Sequence, residues 1–157
     1  MTGHADVEIR IVDPNGEDAR FCLTSYYAEI DERFETGFDP GSSLDPHAAV
    51  FSTPKGAFLI AYRDGAPVGC AGIKWEADAS GMVKRMWVSP DARGLGLGRR
   101  LLADLERLAR DRGIEILRLE TNRALSEAIG LYRSAGFVEV EPFNDEPYAH
   151  HWFEKRL

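Results

Sequence analysis

The sequence predicts a mixed α/β domain. Residues 7–12 alternate apolar and charged side chains at the period of a half-buried strand, and residues 57–75 form two apolar runs on either side of Asp64-Gly65, a hairpin signal. A glycine-rich stretch at 93–98 then opens onto Leu101, Leu102, Leu105, Leu108 and Ala109, which mark one face of a helix.

Taken in order, Val7-Glu8-Ile9-Arg10-Ile11-Val12 is a first strand, punctuated by Asp13-Pro14-Asn15-Gly16. Between Glu17 and Phe34, apolar residues at 21, 23, 26, 27, 30 and 34 recur at mixed three and four spacing and predict an amphipathic helix. Residues 36–55 hold three prolines and two glycines, too long a stretch for a tight connection, and read as a lid with short helical turns or a mobile loop. The hairpin strands are 57–62 and 67–75, and a further strand at 82–88 reaches Ser89-Pro90. After the leucine-faced helix, Gly113 stops the chain and 114–119 returns to strand composition. Residues 126–132 form a short helix closed by Ala135-Gly136, 137–140 is another strand, and His151-Trp152-Phe153 begins the last one. There is no repeat, low-complexity tract or linker, so residues 1–157 read as one domain.

At 157 residues and 44% hydrophobic content, such a domain can build its core without metal or disulfides. Cys22 and Cys70 follow no metal-ligand or redox spacing, and no signal-like segment opens the chain, which together predict a cytoplasmic setting. No apolar run approaches the roughly 20 residues of a membrane span. The formal charge of −7 disfavours nucleic acid, while arginines concentrated between 93 and 123 could still make a locally positive surface for a small anion.

That surface coincides with the glycines. Gly94, Gly96 and Gly98 leave backbone N–H groups unshielded where a helix begins, a natural phosphate cradle, although glycine-rich turns before helices also serve packing alone. Arg99-Arg100 after Gly98 excludes the Gly-Lys-Ser/Thr ending of a P-loop, and Arg99 stands where a dinucleotide fingerprint needs its third glycine. His150 and His151 cannot share one side of a strand, so no metal is expected, and Cys70 in its apolar strand reads as inert packing.

Arg93, Gly96 and Gly98, following Val88-Ser89-Pro90, resemble the Arg/Gln-x-x-Gly-x-Gly/Ala motif of the GNAT superfamily of N-acetyltransferases. The resemblance extends through Leu119-Glu120-Thr121-Asn122 and the segment from Ala128 to Phe137, and the ending from Pro142 to Phe153 resembles a bacterial subgroup, some of whose members are fused to helix-turn-helix regulators. It implies a mostly antiparallel, centrally splayed sheet flanked by helices, with acetyl-CoA as donor and direct transfer to an amine. It also implies that backbone groups of Met86, Trp87 and Val88 hold the pantetheine arm, that Arg93, Gly94, Leu95, Gly96, Leu97, Gly98 and Arg99 take the pyrophosphate, and that Asn122 contacts the pantetheine or orders water. Asn122 is equally a turn or cap residue.

By the same resemblance Tyr132 is the general acid, or else a core aromatic with a hydrogen-bonded hydroxyl. Glu120 leads the candidates for general base, against an ion-paired role, with Glu29, Asp31, Glu35, His150 and His151 behind it. Tyr26, Tyr27, Arg33, Phe34 and Phe38, with Tyr148 in the acidic C-terminal loop, are candidates for the acceptor wall, although the aromatics among them could simply bury the first helix. The expected acceptor is a small amine or amino acid. A protein lysine or N-terminus and a non-catalytic acyl-CoA sensor are the alternatives, and a homodimer is left open.

Overall fold

The computed structural model describes residues 7–157. Its strands are β1 (Val7–Val12), β2 (Gly56–Arg63), β3 (Ala66–Trp75), β4 (Ser80–Val88), β5 (Ile116–Thr121), β6 (Val138–Val140) and β7 (His151–Arg156). Three α-helices, α1 (Glu17–Arg33), α2 (Leu97–Asp111) and α3 (Ser126–Ser134), complete the frame, and two short 3₁₀ turns interrupt the long loop before β2. The seven strands form one sheet in the order β1-β2-β3-β4-β5-β7-β6.

The β2–β3 hairpin turns on Asp64 and Gly65, both at positive φ, which is the geometry that matches the twist of the flanking strands. Along β2, Ala57, Leu59 and Ala61 join a core beneath α2, while Phe58, Ile60 and Tyr62 join a second core with Ala19, Cys22 and Leu23 of α1. The sheet is thus covered on both faces. The helix-forming stripe of α1 runs through Ala19, Cys22, Leu23 and Ile30; Phe21, expected on that stripe, is 53% exposed, because it lies one residue off the buried face.

Two features of β4 position the site. Its pairing with β5, the one parallel pair, covers only Ser80↔Ile116, Gly81↔Leu117 and Met82↔Arg118, beyond which the strands part. The implied splay is therefore present. Second, β4 carries an extra residue against β3, between Cys70↔Trp87 and Gly72↔Lys84, and Arg85 within this bulge has φ of 61°.

Candidate active site

The glycine loop leads directly into α2. Gly94 and Gly96 have φ of 87° and 75°, a left-handed conformation that costs other residues about 1–2 kcal/mol, and a Cβ at either would meet only open space. Gly98 has a different task, since a Cβ there would lie 3.0 Å from Leu131 of α3. No side chain caps α2, and its first turn holds Arg99 and Arg100 and no acid, so the positive end of the helix is reinforced where carboxylates usually stand. The start of α2 thus combines uncapped backbone donors with positive charge.

From this loop a cleft of about 410 Å³, open to solvent, runs between α1 and α3 along the parted end of β4, lined by Trp87, Val88, Arg93, Gly96, Gly98, Leu131 and neighbours. Arg93 donates two 2.7 Å bonds to the Glu29 carboxylate and one of 3.1 Å to the Val88 carbonyl. Glu29 also accepts from the Trp87 indole and from Arg33, which reaches on to Glu127 at 2.7 Å. Burial would raise the Glu29 carboxyl, but bonds from Arg93, Arg33 and Trp87 outweigh it and hold the group below the usual range.

Tyr26, Ile30, Met86, Leu125 and Ala128 line both this cleft and an adjoining chamber of about 80 Å³, also open to solvent. Aromatic rings line one wall: Phe38 and Tyr148 lie 4.7 Å apart, with Phe34 at 5.9 and 6.0 Å from them. The opposite wall is polar. Lys84, 6% exposed, bridges Asp45 at 2.9 Å and Glu120 at 3.3 Å across the parted strands. Glu120 Oε1 takes the lysine and, at 3.4 Å, the Asn144 amide; Oε2 is buried and has no hydrogen-bond partner among the described residues.

Tyr132 lines the same chamber while its ring packs on Phe137 and Phe153. Its ring belongs to the core and its position to the chamber wall. Burial, with Tyr26 and the charge of Glu120 adding to it, pushes its phenol well above the usual range, so it stays protonated. Tyr26 is raised in the same direction, by burial first, and stands where the cleft meets the chamber. Beside them, the buried Cys70 thiol donates to the Arg85 carbonyl at 3.3 Å. A trans peptide points its N–H opposite to its C=O, so the Met86 N–H is turned away from the Cys70 thiol.

Of the residues expected here, Met86, Trp87, Val88, Arg93, Gly94, Gly96, Leu97, Gly98 and Arg99 line the cleft, and Tyr26, Phe34, Phe38, Tyr148, Glu120 and Tyr132 line the chamber. Four expectations change. Leu95 is 43% exposed at the loop's tip and outside the cleft lining. Asn122 lines the chamber instead of the cleft, its amide spent on the Tyr148 carbonyl at 2.8 Å and its oxygen on the Ala124 N–H at 2.9 Å, so it fastens the C-terminal loop. Arg33 lies on the cleft side, held by Glu127 and the Ala124 carbonyl. Tyr27 stands behind the wall, stacked on Phe38 and accepting from Arg85 at 3.1 Å.

The lesser base candidates are engaged elsewhere: Asp31 caps the Phe38 N–H, Glu35 pairs with Arg123, His150 accepts from the Arg123 N–H, and His151 meets Glu139. Lys84, Arg85 and Glu146 escaped the sequence reading. A positive-φ arginine and a lysine facing a carboxylate across two separated strands leave no local pattern, although two adjacent cations in an otherwise apolar strand were a visible anomaly.

The uncapped end of α2, with arginines in its first turn, and a buried carboxylate oxygen without a hydrogen-bond partner among the described residues are the two distinguishing features of this site. A family model described as Acetyltransferase (GNAT) family matches residues 23–137, and the chain belongs to that family. An IAA acetyltransferase of Azospirillum brasilense is 46% identical over 92 residues, covering 58% of this chain and 59% of that one, so the chain spans about three fifths of that relative's length. An uncharacterised N-acetyltransferase of Escherichia coli is 32% identical over 123 residues, or 76% of this chain and 72% of its own. The crystal structure of a GNAT-family acetyltransferase from Staphylococcus aureus superposes with a TM-score of 0.83 at 19% identity, over 97% of this chain and 99% of that one, and shows the same fold.

Proposed function

We propose that this protein transfers the acetyl group of acetyl-CoA directly to the primary amine of a small molecule. The observation that carries the reading is the buried Oε2 of Glu120, without a hydrogen-bond partner among the described residues, in the wall of the chamber that adjoins the cleft from the glycine loop. The cradle suits a diphosphate: its N–H groups are uncapped, its glycines leave room, and Arg99 and Arg100 add charge. Bound there, acetyl-CoA would supply an activated thioester.

The remaining chemistry belongs to the chain. Glu120 Oε2 is free to accept the proton of an ammonium, while Lys84 and Asn144 fix Oε1 so that the free oxygen keeps its direction. In this reading the Met86 N–H, on the strand that lines both cleft and chamber, donates to the developing oxyanion. Tyr132 retains its proton and can give it to a leaving thiolate.

Small acceptors are favoured over polypeptides because two loops are stitched together beside the chamber. The Asp39 N–H donates to the Tyr148 hydroxyl at 2.9 Å and Ser43 donates to Glu146 at 2.5 Å, which leaves a compact pocket instead of an open groove. An IAA acetyltransferase among the relatives is consistent with a small-molecule acceptor.

The test is a screen of primary amines for free-thiol release from acetyl-CoA, beside a calorimetric titration of acetyl-CoA itself. Binding with amine-dependent thiol release is expected; binding without release on any amine would replace catalysis by sensing. Gly96→Val, forced from its left-handed conformation, should abolish the calorimetric signal.

A further inference from the structure

The chamber's charges are almost all spent. Lys84 is taken by Asp45 and Glu120. Arg85 lies over the rings of Tyr27 and Phe51 and donates to the Tyr27 hydroxyl and the Asp45 carbonyl. Both oxygens of Glu146 are committed, Oε1 to Ser43 and the Leu44 N–H and Oε2 to the Tyr148 N–H. One carboxylate oxygen is left, Oε2 of Glu120, with its side chain 6% exposed. Lys84 is already paired with two carboxylates, and a second ligand ammonium would find no second free carboxylate among the described lining residues. Burying it without a partner is costly.

The rest of the wall is hydrocarbon and aromatic. Phe34, Phe38 and Tyr148 stand with centroids 4.7 to 6.0 Å apart, and Tyr27 backs Phe38 at 5.5 Å with an interplanar angle of 23°. Such a cluster offers ring edges and faces to a flat apolar group. We infer that the acceptor is a monocationic arylalkylamine, its ammonium directed to Glu120 Oε2 and its ring packed against the cluster of Phe34, Phe38 and Tyr148, in preference to a diamine. This rests on the acetyltransferase reading and narrows it.

The experiment measures kcat/KM with acetyl-CoA for 2-phenylethylamine, n-butylamine, 1,4-diaminobutane, free lysine and a lysine-containing peptide. The arylalkylamine is expected to lead by about tenfold or more, the size of a favourable aromatic contact with its buried area. Phe38→Ala, its fold checked by retained acetyl-CoA affinity, should lower kcat/KM for 2-phenylethylamine by a larger factor than for n-butylamine; Phe38→Leu repeats the comparison with less disturbance. A lead for the diamine, lysine or peptide, or equal losses for both monoamines in Phe38→Ala, would overturn the inference while leaving acetyl transfer standing. Acetyl-CoA binding with no turnover on any amine would remove both.

Discussion

Lys84 and Glu120 are each 6% exposed and face one another at 3.3 Å across strands that no longer pair. A buried ion pair contributes little net stability, but removing one member strands the other. Lys84→Met should therefore cost about 3 kcal/mol in urea unfolding, and Glu120→Gln in the same background should recover part of it, a coupling that a double-mutant cycle reads directly. Additive losses would show that the pair does not interact. Tyr132→Phe keeps the ring packed on Phe137 and Phe153 while removing the proton donor, so turnover should fall by roughly 10²-fold with acetyl-CoA affinity unchanged; unaltered turnover would return Tyr132 to the core alone. Glu120 and Tyr132 were legible in the sequence because they sit inside motif-bearing segments. Lys84 and Arg85 were not, since their roles arise from the partner strand's departure and from a single backbone residue at positive φ.

The parallel pair of strands must be clamped at one end to open at the other. Asp78, in the turn before β4, accepts from Ser80 Oγ at 2.6 Å and from Arg118 of β5 at 2.6 Å, and Arg118 also reaches Glu154 of β7 at 3.0 Å. Hydrogen bonds from Ser80 and Arg118, the largest causes, lower the Asp78 carboxyl to about 2. Its folded-state value lies below the ordinary one, so its contribution is fully present above about pH 4 and is lost as pH falls through about 2. Asp78→Asn should flatten that part of the acid-stability curve, by little because the side chain is 57% exposed; an unchanged curve would mean that Arg118 does not depend on it. Elements of this kind were readable where their period was clean, as in β1 and α2. They were less so in α1, where Phe21 satisfied the count of apolar residues yet faces solvent, and the clamp could not be read at all, because its members are far apart in the chain.

Across the whole molecule, the sheet is continuous on its β1–β4 side and closed again by β7 and β6, so the break between β4 and β5 is its central interruption. Helices α1 and α3 flank that break and are tied across it by the Arg33–Glu127 ion pair. The order of elements was legible from periodicity and turn residues, and the splay came only through family resemblance, since no local pattern records that two strands diverge. We propose that the break brings donor and acceptor together at Glu120. The most direct test is Glu120→Gln, with thiol release from acetyl-CoA measured beside calorimetric acetyl-CoA affinity. Turnover should fall by roughly 10²-fold or more while affinity is retained; a variant that turns over as fast as the parent protein would contradict the claim.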